Sequence, residues 1–204
     1  SPRSGTTLLA ATLDLHDAIV VPNETDFIVP IAFVLDRVSN AAVGRPLISQ
    51  LITGADGFAP SLGQHLSPAA VAEIVAAAPY RLSAILEALY AAVAASAGAR
   101  LAGDKSPNDL NFARILVKAG LFESEIKVIH IVRDIRDVLL SLRQVGWSPP
   151  QTETYFPRFW CSANLYLYEQ LRAQTHRYHR PAVVGYQHQS VLVQRGGTHW
   201  VRSW

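Results

Sequence analysis

Apolar positions along this chain recur in two periods, helical and alternating, and each change of period marks a new element. Thr6 to Leu15 puts Leu8, Leu9, Leu13 and Leu15 on one helical face, with the Thr12 methyl among them, which predicts a helix capped by Thr6. Ala18 to Val21 is a short β-type run stopped by Pro22 and Asn23, and Phe27 to Val38 is again helical. Gly44 to Gly63 holds four glycines and two prolines and is expected to be irregular, a mobile cover. Ser67 caps a helix to Ala77, with Pro68 at its first position, and a second helix runs from Pro79 to Ala97. Arg100 to Gly103 reads as a short strand, and Asn108 to Ala119 as a helix closed by Gly120. Ile126 to Val132, I-K-V-I-H-I-V, is the strongest strand pattern in the sequence and runs directly into an amphipathic helix, R-D-I-R-D-V-L-L-S-L. A long helix from Thr152 to His176 and a last strand from Ala182 to Tyr186 complete the series. Strands alternating with helices predict an α/β fold with a parallel sheet flanked by helices, and ligands gather at the carboxyl ends of such strands.

Composition narrows the function classes. The chain has 204 residues, half of them hydrophobic and 17% charged, enough for one globular domain over 1–204 with a helical insertion at 44–97. Its net charge of +2 is too small to argue for nucleic acid or an anionic membrane, so any attraction for anions is local. No stretch reaches a membrane span: the apolar run at 69–78 is short, is interrupted by Glu73 and ends at Pro79. The sequence contains no methionine, not even at position 1, and is read as a fragment or processed product. Cys161 is the single cysteine, which excludes an internal disulfide; a lone cysteine in an apolar helix is expected in the core. With no visible signal peptide, a cytoplasmic location is favoured. The seven histidines are dispersed, and the pair in H-R-Y-H at 176–179 reads as a solvated helix end, so no metal is expected.

Two segments carry candidate chemistry. The opening P-R-S-G-T-T enters a helix, where unpaired backbone N–H groups and the positive helix end suit an anion. Gly5 allows close backbone approach, the Thr6 and Thr7 hydroxyls can donate, and Arg3 adds a fixed charge. The Walker pattern G-x-x-x-x-G-K-[ST] is absent. On residues alone the segment is either a phosphate loop or an N-cap beside an incidental arginine. In the second segment Arg133 stands where a strand pattern becomes a helix, and Ser141 lies two turns on; Asp137 and Ser141 are i and i+4. That segment is either salt-bridge scaffolding, with Arg136 pairing a carboxylate at the helix start, or a second phosphate site.

Together, P-R-S-G-T-T and I-V-R-D-I-R-D-V-L-L-S-L, about 130 residues later, resemble the two nucleotide-binding signatures of sulfotransferases that use 3′-phosphoadenosine 5′-phosphosulfate (PAPS). The resemblance implies a P-loop-like sheet and PAPS as co-substrate, with no metal required. Arg3, Ser4, Gly5, Thr6 and Thr7 would hold the 5′-phosphosulfate, and Arg133 and Ser141 the 3′-phosphate. The segment L-L-A-A-T-L-D-L-H-D-A-I-V-V-P-N-E-T-D-F looks like the branch containing tyrosylprotein and many bacterial sulfotransferases, which nominates Glu24 as general base. G-D-K-S-P is similar to that branch's lysine-proline element and nominates Lys105, which with Arg3 would offset charge on the departing and sulfuryl oxygens.

The resemblance thins after residue 145. The strand that precedes the first motif in relatives is absent, and A-V-V-G-Y-Q-H-Q-S-V keeps Tyr186, a candidate for the adenine side, without the relatives' acidic pair. V-Q-R-G-G-T-H-W-V-R-S-W resembles nothing placeable. Two other readings stand beside transfer of a sulfuryl group from PAPS to a hydroxyl or amine: a non-catalytic remnant that binds adenosine 3′,5′-bisphosphate or nothing, and a P-loop phosphotransferase. The class of acceptor is open, since the 44–97 segment reads as an acceptor-site cover or simply as a helix pair on the core.

Overall fold

The computed structural model describes the backbone of residues 3–123, 126–146, 152–178, 184–187, 190–194 and 200–203, with side chains for 3–123, 126–146 and 154–173. Spatial proximity divides the chain into two compact units, one of residues 7–126 and one of residues 1–6 with 127–204.

The larger unit begins with α1 (Thr6–Asp14), whose first residue belongs to the other unit. Then come β1 (Ile19–Val20), α2 (Ile28–Arg37), α3 (Ala41–Thr53), α4 (Pro68–Ala77), α5 (Leu82–Ser96) and β2 (Leu101–Ala102). A 3₁₀ turn over Pro107–Phe112 leads into α6 (Ala113–Lys118), so the helix expected from Asn108 opens in the tighter form. Phe27, Ile31, Ile48, Ile52, Leu82, Ile85 and Leu89 are among the fully buried side chains of one core shared by α2, α3, α4 and α5. Ser67 caps α4 through Ala70 N at 3.2 Å with Pro68 at the first position, as the sequence predicts.

One expectation fails here. Gly44–Gly63 is not irregular throughout: its first half is α3. The side chain of Asn40 accepts from Ala42 N at 2.9 Å and starts the helix, and Ile48 and Ile52 then fall on its buried face. Gly44 is required by packing, since a Cβ there would overlap the Tyr80 ring, whose hydroxyl donates to Val38 O at 2.7 Å. The helix expected from Thr6 forms as α1; none of its residues is buried, and Leu8 and, just past the helix end, Leu15 are 74% and 84% exposed.

β1 and β2 pair in parallel, Ile19 opposite Leu101 and Val20 opposite Ala102, and α5 packs against both. Because the strands are parallel, the loops that follow them leave from the same end of the pair. Those loops carry Glu24 and Lys105.

The smaller unit contains α7 (Ile135–Leu142), α8 (Thr152–Tyr178), β3 (Val184–Gln187), β4 (Ser190–Gln194) and β5 (Trp200–Ser203). The expected last strand is the first of an antiparallel sheet of order β3-β4-β5, not a further parallel strand. The strand expected over Ile126–Val132 is also corrected: only His130 forms an isolated bridge among the described residues. A β-branched run becomes a strand only where a neighbour pairs with it. A side chain also holds the segment. His130 Nε2 meets Asn164 Oδ1 of α8 at 2.8 Å, while Asn164 Nδ2 donates to Trp160 O at 2.8 Å. Burial pushes the His130 imidazole below its ordinary pKa. Cys161 is exposed on α8 rather than in the core. No helix among the described residues is long and apolar enough to cross a membrane. The side chains of the H-R-Y-H pair lie outside the described residues.

Candidate active site

The smaller unit brings together residues that the sequence separates by about 130 positions. Arg3 Nε donates to Ser141 Oγ at 2.9 Å, and Arg133 Nη1 donates to the Arg3 carbonyl at 3.0 Å. The loop that receives them is conformationally unusual. Arg3 has φ of 63° and Gly5 of 87°, the left-handed region that costs an ordinary L-residue about 1–2 kcal/mol. Gly5 meets that demand at no steric cost, and no described atom lies within 4 Å of where its Cβ would stand. Arg3 does not meet it freely, and its carbonyl is held by Arg133. Ser4 between them is buried at 1% exposure, and Thr6 opens α1. Changes of backbone hand of this kind turn N–H groups toward a common side and form anion-binding concavities.

Local pairing decides which arginine of R-D-I-R-D serves this loop. Asp134 caps α7, accepting from Arg136 N at 2.9 Å, and also holds the Arg136 guanidinium through Nε at 2.9 Å and Nη2 at 2.6 Å. Arg136 is therefore engaged at the helix start, one of the two readings the sequence leaves open. Among the described residues Arg133 has a longer ion pair, to Asp137 Oδ2 at 3.8 Å, besides its bond to the loop.

The larger unit gathers the other candidates. Glu24 follows β1 and Lys105 follows β2, and the Lys105 ammonium pairs with Glu24 Oε1. Lys105 Nζ also lies 3.4 Å from Thr7 Oγ1. Side-chain exposure is 15% for Lys105 and 37% for Glu24, so the pair is partly open to solvent.

Behind it lies a polar cluster that the sequence did not announce. Asp104 Oδ1 accepts from Thr25 Oγ1 at 2.6 Å and from the Tyr90 hydroxyl at 2.8 Å, while Oδ2 accepts from Ser106 Oγ at 2.6 Å. Burial raises the Asp104 carboxyl above the usual range, against the lowering effect of the three hydroxyls. The Tyr90 phenol is raised well above its ordinary value by burial and by the neighbouring Asp104 charge.

The loop bearing Glu24 is buttressed from a third direction. Ser61 Oγ donates to Asn23 O at 2.7 Å, and a Cβ on Gly57 would overlap the Glu24 carbonyl and stand 3.2 Å from Thr25 Cα. The segment expected to be a mobile cover thus supports the predicted base. Gly57→Ala is expected to lower stability by about 1–3 kcal/mol, the usual cost of overpacking. A reduced melting temperature, with faster amide exchange at residues 23–26, is the measurable sign.

Asp109 adds a pH signature. Burial, then the charges of Asp104 and Asp26, push its carboxyl up to about 8. From the ordinary value of 3.8 up to about 8 the folded protein keeps a proton that the unfolded chain has released, so this group makes stability fall as pH rises through that window. Asp109→Asn should therefore flatten the decline of melting temperature between pH 5 and 8, measured by scanning calorimetry; an unchanged slope would show that Asp109 ionises normally.

Tyr186 lies on β3, and its side chain is outside the described residues. The remaining candidates fall into the two groups just described: Arg3, Ser4, Gly5, Thr6, Arg133 and Ser141 in one unit, Thr7, Glu24 and Lys105 in the other.

No curated protein and no solved structure matches the chain. A family model described as sulfotransferase family matches residues 1–188, which include both arginine-bearing segments and both loops of the Glu24–Lys105 pair. The chain belongs to the sulfotransferase family.

Proposed function

We propose that this chain transfers a sulfuryl group from PAPS to a hydroxyl or amine acceptor by in-line displacement. The observation that carries the reading is the linkage of Arg3, Arg133 and Ser141 around a left-handed, glycine-containing loop. Two phosphate-bearing ends of one donor call for two such cationic elements, and the sequence supplies them in the family's order.

In this reading Arg133 and Ser141 hold the 3′-phosphate. The Ser141 oxygen accepts from Arg3, and its own O–H is free to serve as a donor to the phosphate. The N–H groups of the 3–7 loop and the Arg3 guanidinium bind the 5′-phosphosulfate. Glu24 takes the proton from the acceptor O–H or N–H as the new bond to sulfur forms. The bond between sulfur and the bridging oxygen of the 5′-phosphate breaks, and its electron pair leaves with adenosine 3′,5′-bisphosphate. Negative charge then grows on that oxygen, and fixed cations lower the barrier most where they need no reorganisation. Arg3 and Lys105 fill that role. Tyr186 is assigned to the adenine side. β1 and β2 are part of a P-loop-like parallel sheet in a single 1–204 domain, and the 44–97 helices are its acceptor-side insertion.

The test is to supply PAPS labelled in the sulfuryl group, with phenolic, carbohydrate and amine acceptors, in the presence and absence of a magnesium chelator. Label transfer that survives chelation is expected. Magnesium-dependent transfer of the γ-phosphoryl group of ATP, with PAPS untouched, would instead establish a phosphotransferase.

A further inference from the structure

Glu24 and Lys105 come from loops 81 positions apart, and each is flanked by a member of the polar cluster behind it. Thr25 follows Glu24, and Asp104 precedes Lys105. The Thr25 hydroxyl donates to Asp104 at 2.6 Å, so one short bond ties the two loops directly behind the ion pair. Tyr90 fastens the same carboxyl oxygen to α5 at 2.8 Å, and Ser106 satisfies the other oxygen at 2.6 Å. Thr25 is 1% exposed, so water does not replace this bond.

We propose that Asp104 is a positioning residue that, through Thr25, holds the Glu24 carboxylate and the Lys105 ammonium as a preformed pair. What the pair does rests on the sulfuryl-transfer reading; that Asp104 sets it does not. A carboxylate suits the task because its two oxygens offer about four acceptor sites, enough for three hydroxyl donors converging from separate elements. Surface ion pairs between long side chains are weak when each side must be ordered for the purpose. Tying the two backbones together behind the pair removes much of that ordering cost, so Glu24 and Lys105 meet without a bound ligand.

The experiment measures acetylation of Lys105 by a water-soluble N-hydroxysuccinimide ester, resolved by mass spectrometry, with Lys118 and Lys127 as internal references. Glu24→Gln reports the unpaired lysine. Thr25→Val removes the linking hydroxyl at nearly constant shape, Thr25→Ser retains it, and Asp104→Asn serves as a second probe of the anchor. Glu24→Gln and Thr25→Val should each raise Lys105 labelling about tenfold, the scale of one hydrogen bond to a charged group. Thr25→Ser should stay near the wild-type rate, with Lys118 and Lys127 unchanged throughout. Wild-type protection in Thr25→Val, or an equal rise at all three lysines in both Thr25→Val and Asp104→Asn, would overturn the proposal. Because labelling needs no turnover, a failed PAPS transfer assay leaves this result standing on its own.

Discussion

Arg133→Ala is expected to weaken binding of adenosine 3′,5′-bisphosphate by about a hundredfold, equivalent to about 2.7 kcal/mol. The side chain has two roles that the substitution removes together. Its guanidinium charge is assigned to the 3′-phosphate, where a hydrogen bond to a charged group contributes about 1.5–3 kcal/mol. Its Nη1 also holds the carbonyl of Arg3, a residue at φ of 63° that needs a partner to stay there. Arg133→Lys keeps the charge but loses the planar fork, so it should fall between the two, about tenfold weaker than wild type. Arg136→Ala is the contrasting control: its guanidinium is occupied by Asp134, so affinity should change little. Calorimetric titration of the three variants distinguishes these outcomes, and equal losses for Arg133→Ala and Arg136→Ala would mean that net charge rather than the loop geometry binds the nucleotide.

Glu24→Gln should lower turnover by about 10²–10⁴, the range associated with a general base, and leave nucleotide affinity within about twofold. Glutamine keeps the shape and can still accept a hydrogen bond from Lys105, but it cannot take a proton. The loss should therefore fall on kcat rather than on the KM for donor. A parallel loss of donor affinity would place Glu24 among the groups that hold the nucleotide instead of those that move the acceptor's proton.

Local signals are readable from sequence wherever one element determines its own geometry. Ser67 and Pro68 announce α4, Pro22 and Asn23 stop β1, and the eight-residue step from Arg133 to Ser141 marks the second motif. The Arg3–Ser141 and Glu24–Lys105 contacts are not legible in the sequence, because no local pattern records a contact across more than 80 positions. Two expectations fail for the same reason. The 44–63 segment is expected to be irregular because glycine and proline break helices on their own, but Gly44 is there to admit Tyr80. The Ile126–Val132 run has strand propensity, yet only the isolated bridge at His130 forms among the described residues. Asp104, Thr25, Gly57 and Ser61 are invisible in the sequence for a further reason: an acid, a hydroxyl or a glycine in a loop is ordinary until its partner from another loop is known.

Sulfuryl transfer from PAPS requires the 3–7 loop and the Arg133–Ser141 segment to bind a bisphosphorylated nucleotide. Isothermal titration of the chain with adenosine 3′,5′-bisphosphate tests that most directly, with adenosine 5′-monophosphate as the comparison. Binding in the micromolar range, about −8 kcal/mol, that weakens at least tenfold when the 3′-phosphate is missing is the predicted result. A folded chain that binds neither nucleotide, or both equally, would contradict it.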